Sequence, residues 1–110
     1  NPVDMGPAWY SSYSVQEIVS AVIEDPNVDG IIILMMFASA NRDTVPDLSS
    51  LLIELNQTKP LLSCFVAPTG IWDHTLDNLE SQKVLINLPT PERAGKALAS
   101  LWQYKKWMRK

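Results

Sequence analysis

Two kinds of apolar spacing alternate along the chain. In "SVQEIVSAVIEDP" (14–26), Val15, Ile18, Val19, Val22 and Ile23 recur at i, i+3, i+4, i+7 and i+8. That spacing places them on one stripe of a helix. Ser14 and Glu17 have capping-box spacing, and Asp25-Pro26 stops the helix, because the residue before proline is pushed out of the helical region. "GIIILMMF" (30–37) is continuously apolar, which predicts a strand covered on both faces, as in a parallel sheet. "TVPDLSSLLIELNQ" (44–57) returns to the helical period through Leu48, Leu51, Leu52 and Leu55, with Thr44 as the expected N-cap and Asp47 three residues on.

The alternation then repeats. "LLSCFVA" (61–67) reads as a second buried strand, "IWDHTLDNLES" (71–81) as a helix with Trp72, Leu76 and Leu79 on one face, and "KVLINL" (83–88) as a short third strand. Thr90-Pro91 is a helix start with proline at its first position. Ala94, Ala97, Leu98 and Leu101 line one face of that last helix. By contrast, residues 1–13, with Asn-Pro, Gly-Pro and a Ser/Tyr cluster, read as a leading loop. The order loop, α, β, α, β, α, β, α predicts right-handed crossovers and a three-layer α/β/α domain around a parallel sheet. An open sheet whose pattern begins with a helix is expected to lack its first strand or strands.

Composition narrows the chemistry. With 110 residues the chain fits one small domain, 1–110. A net charge of −3 argues against nucleic acid as a partner. Cys64 is the single cysteine, so neither an internal disulfide nor a CxxC metal site is available. A reducing cytoplasm is the expected location. The longest apolar run, 31–38, is too short for a bilayer span, and no membrane association is expected.

Four segments fall in a recognisable order: "NPVD" (1–4), "EDPNVDGIIIL" (24–34), "TKPLL" (58–62) and "NLPTPERAGKALASLWQY" (87–104). In these the chain resembles the succinyl-CoA-synthetase-like, flavodoxin-type domain of NDP-forming acyl-CoA synthetases, a group that includes ADP-forming acetyl-CoA synthetase and related protein acetyltransferases. The resemblance covers nearly the whole length. It implies that the first strand, first helix and second strand of the domain would precede residue 1. In the flavodoxin order 2-1-3-4-5, the 31–37 strand would then be the third and would have an open edge. The intact enzymes convert acyl-CoA, phosphate and NDP to acid, CoA and NTP through a phosphohistidine held in another domain. CoA and ATP or ADP with Mg are therefore implied for the intact enzyme and none for this chain alone. The implied partners are the synthetase's other domains or subunits, or a second copy joined through the 31–37 edge. A stand-alone interaction module pairing through the same edge is the alternative from a different class.

No residue is expected to be catalytic or to bind metal. His74, the only histidine, is followed by Thr75 and Leu76 and not by the family's glycine, so it is expected to be an ordinary surface residue. Asn1 and Asp4 match the family's Asn-Pro-x-Asp segment, either facing a site or fixing a turn. Ser39 and Asn41 in "FASANRD" (37–43), and Thr69 and Gly70 in "APTGIW" (67–72), leave the expected carboxyl ends of strands and precede helices. They are candidates for loops facing other domains. Cys64 is expected to be a small buried hydrophobe. The aromatic and basic tail "WQYKKWMRK" (102–110) reads as a helix C-terminus, with Lys and Arg at the negative end of its dipole. Trp102, Trp107 and Met108 are expected to cover core or a neighbouring domain.

Overall fold

The computed structural model describes residues 3–6, 11–55 and 58–108. Helix α1 spans Ser12–Glu24, strand β1 Ile31–Met36, helix α2 Thr44–Leu55, strand β2 Leu61–Val66, helix α3 Asp73–Ser81, strand β3 Ile86–Asn87 and helix α4 Pro91–Met108. A short 3₁₀ turn, Ser39–Asn41, lies between β1 and α2. The described strands form one parallel sheet in the order β1-β2-β3. Helices flank both faces, so the architecture is a three-layer α/β/α sandwich of flavodoxin-like kind.

The sheet's two faces differ in how they are covered. Side chains of a strand alternate between faces. Ile31, Ile33 and Met35 of β1, with Leu61 and Phe65 of β2, join Val15, Val19 and Ile23 of α1, Leu48 and Leu52 of α2, and Leu76 and Leu79 of α3 in one core cluster. Three helices therefore close this face. Each large aliphatic side chain buried there contributes about 1.5–3 kcal/mol. The opposite face carries Ile32, Leu34 and Met36 level with Leu62, Cys64 and Val66. Among the described residues only α4 packs here, through buried Ala94 and half-buried Ala97 and Leu98.

Helix ends are fixed locally. The Ser11 hydroxyl accepts the Ser14 N–H at 3.2 Å, so α1 starts three residues earlier than the Ser14-Glu17 spacing predicts. Thr44 is the first residue of α2 and is buried, so it does not precede the helix as a cap. The Thr90 hydroxyl accepts the Arg93 N–H at 3.2 Å at the head of α4. Lys59, just before β2, donates to the carbonyls of Ile23 and Asp25 and ties the C-terminus of α1 to the sheet.

The expectation of a strand covered on both faces is corrected for β1. Its burial alternates: Leu34 is 51 % and Met36 71 % exposed. A continuous apolar run records that a face could be covered, whereas α4 lies over the amino half of the sheet and leaves the carboxyl half open. Strand β3 is likewise shorter than "KVLINL" predicts, since only Ile86 and Asn87 pair with β2. Leu101 and Trp102 are partly exposed, and Trp107 and Met108 are largely so. The tail of α4 thus runs past the body and does not cover this chain's core.

Candidate functional site

The carboxyl ends of β1 and β2 are where open α/β sheets build their sites, and Ser39, Asn41, Thr69 and Gly70 do lie there. Asn41 is wholly buried. Its Oδ1 accepts the Ala38 N–H at 2.8 Å, and its Nδ2 donates to the Met36 carbonyl at 3.0 Å. The N–H groups of Ile31 and Phe37 bond to the carbonyls of Pro60 and Val66 on the β2 side. By alternation, the backbone groups of even-numbered residues face the other way. The Asn41 carboxamide therefore takes the place of a neighbouring strand's peptide and plugs the outer edge of β1 at its end.

The second loop closes on itself in a similar way. Gly70, at φ +91°, takes a conformation that side chains other than glycine's rarely tolerate. Its N–H donates to Asp73 Oδ2 at 2.7 Å. Asp73, Asp47 and Glu92 stand in the first turns of α3, α2 and α4. Carboxylates there complement the helix dipoles and repel a further anion. Among the described residues no group of three or more His, Cys, Asp or Glu could hold a metal ion.

The remaining candidates are dispersed. Asn1 lies outside the described residues. Asp4 is exposed, and its Oδ1 accepts the Gly6 N–H at 2.9 Å, a local turn. Asp4 also borders a cleft of about 260 Å³ whose other walls include Leu34, Met35 and Met36 of β1. His74 is exposed on α3, and Cys64 is a buried free thiol. Exposed Tyr13 has its phenol held above its ordinary pKa by a hydrogen bond to Glu17 and by that group's charge.

What the geometry brings together instead is an apolar surface that no described strand pairs with. On the outer side of β1, the N–H and C=O of Ile32 and Leu34 and the N–H of Met36 face away from β2, and no described strand pairs with them. Beside that edge stand exposed Leu34 and Met36, with Val66 and Ile86 across the same face. The feature in the sequence that points to it is the uncharged stretch from Gly30 to Ala38. Among the described residues, no helix is long and apolar enough to cross a membrane.

Compared with models of known protein families, with curated proteins and with solved structures, the chain gave no match.

Proposed function

We propose that this chain is a non-catalytic sheet module of an NDP-forming acyl-CoA synthetase, and that its working surface is the outer edge of β1. The observation that carries this is the asymmetry of the sheet: three helices close one face, whereas among the described residues no strand pairs with the β1 edge and no helix covers the carboxyl half of the other face. An unpaired, apolar, uncharged edge is a template for a further strand, and exposed Leu34, Met36 and Val66 would accept a helix laid beside α4. The four matching segments supply the enzyme class, in a cytoplasmic setting. In that class the acyl-CoA, phosphate and nucleotide chemistry belongs to other domains, and here Asn41 and Asp73 are engaged in hydrogen bonds within their own loops.

The second reading, a stand-alone interaction module, uses the same edge, and the length of the encoded reading frame distinguishes the two. Two measurements test the proposal. Incubation with phosphate, acyl-CoA and nucleotide should leave no acid-labile phosphate on the isolated chain; a label lost in His74→Asn would overturn the non-catalytic reading. Amides of Ile32, Leu34 and Met36 should exchange quickly in any monomer. A monomer in which all three are strongly protected has no open edge, and the proposal then fails.

A further inference from the structure

We propose that, in solution, the β1 edge pairs antiparallel with β1 of a second copy about a twofold axis, and that the α4 tail of each copy lies against the carboxyl end of the other's β1. The inference rests on the reading of β1 as a pairing edge and names its occupant.

The edge is self-complementary. In a register centred on Leu34, that residue faces its own mate, and Ile32 faces Met36 of the second copy. The Leu34 N–H and C=O then bond those of its mate and the Met36 N–H bonds the Ile32 carbonyl, as closely spaced antiparallel bonds, while the Ile32 N–H shares the Met36 carbonyl, whose second lone pair is left over from Asn41. Every side chain brought together is apolar, so no like charges oppose each other across the join.

The course of α4 supplies the second argument. Leu88, just before α4, donates its N–H to Ser63 of β2 at 2.8 Å. The helix then crosses to Gly30 at the amino end of β1, where Leu98 packs. Beyond that point Leu101, Tyr104, Trp107 and Met108 continue at i, i+3, i+6 and i+7, all exposed. This apolar stripe projects past the amino end of its own sheet. An antiparallel join sets the amino end of one β1 beside the carboxyl end of the other. In this register Gly30 faces Ala38 of the second copy, so each tail lies level with the carboxyl end of the other copy's β1, next to exposed Met36.

Charge agrees with the placement. Lys105 and Lys106 are exposed on the tail, and Asp4 borders the cleft beside Leu34 and Met36. Four of the nine basic residues lie in the last six positions, so five remain against all twelve carboxylates in the rest of the chain. A basic tail on an acidic body is matched by another copy of that body better than by a polyanion, which the body would repel.

Sedimentation of the full 110-residue chain should show a dimer, with slow exchange at Ile32, Leu34 and Met36. Leu34→Glu sets two carboxylates at the axis and should raise the dissociation constant about tenfold or more. Lys105→Glu with Lys106→Glu, on an exposed helix end that cannot unfold the body, should raise it about fivefold, and less at high salt. Adding Asp4→Lys to that pair should recover most of the loss. A monomer with fast edge exchange overturns the dimer and leaves the pairing-edge reading intact; a monomer with a protected edge overturns both. A dimer indifferent to Leu34→Glu or to the tail reversal also overturns it, as does a monomer that instead binds anionic vesicles or an oligonucleotide.

Discussion

A Cβ built on Gly30 would lie 2.7 Å from Cδ1 of Leu98, closer than real side-chain contacts allow. The absence of a side chain at the foot of β1 is thus what lets α4 lie down on the sheet. Leu98 is half-buried and its terminal methyl can rotate, so Gly30→Ala should be mild. Gly30→Val cannot be absorbed by one rotamer and should destabilise by about 1–3 kcal/mol. A double-mutant cycle with Leu98→Ala should recover much of that cost. Additive losses in urea denaturation would show that the two residues do not meet.

Asn41 makes a different demand. Its carboxamide both accepts and donates at the end of β1, so Asn41→Ala leaves the Ala38 N–H and the Met36 carbonyl without that partner at a partly buried edge. The expected loss is about 1–3 kcal/mol. Asn41→Asp keeps the acceptor but points a carboxylate oxygen at the Met36 carbonyl, and should cost at least as much. A shift of the urea midpoint at constant slope is the readout; an unchanged midpoint in both variants would remove Asn41 from the edge.

The Ser63-Asn87 pair should respond asymmetrically. Asn87 Oδ1 accepts both the Ser63 hydroxyl and the Phe65 N–H, each at 2.8 Å. Asn87→Ala leaves both donors without that partner and should cost about 1–3 kcal/mol, whereas Ser63→Ala leaves Asn87 still bonded to Phe65 and should cost about 1 kcal/mol or less. Equal losses would mean that Asn87 is not the shared acceptor.

Much of this architecture is legible in residue spacing, because a helical stripe and a strand run have different periods. Val15, Val19 and Ile23, or Leu48 and Leu52, announce both their helix and the face it buries. Pro91 similarly marks the start of α4. Coverage is harder to read. "GIIILMMF" looks the same whether one or two layers lie on it, and only the position of α4 reveals Leu34 and Met36 as exposed. The apolar residues of the α4 tail give the same false impression of a core. Asn41 is visible in the sequence as a polar residue after a strand, but its role depends on which edge of β1 is unpaired. That is a property of strand order, which no local pattern encodes.

Lys83 provides the last prediction. It follows α3 with φ at +60°, among the described residues the one non-glycine position in that region. Its N–H donates to the Glu80 carbonyl at 3.0 Å, and the Val84 N–H donates to the Leu79 carbonyl at 2.9 Å. Together these close α3 as a Schellman motif, whose left-handed position favours glycine. A side chain there costs about 1 kcal/mol through contact between its Cβ and the backbone. Lys83 is exposed, so removing its side chain sacrifices little packing. Lys83→Gly should therefore stabilise the fold by up to about 1 kcal/mol and raise the thermal midpoint by roughly 4 °C. Lys83→Asn should fall between the two, and Lys83→Val should destabilise, because a β-branched side chain tolerates this backbone poorly. A thermal melt in which Lys83→Gly lowers the midpoint would mean that the turn between α3 and β3 is not left-handed. The hand-over that sets β3 beside β2 would then have to be drawn differently.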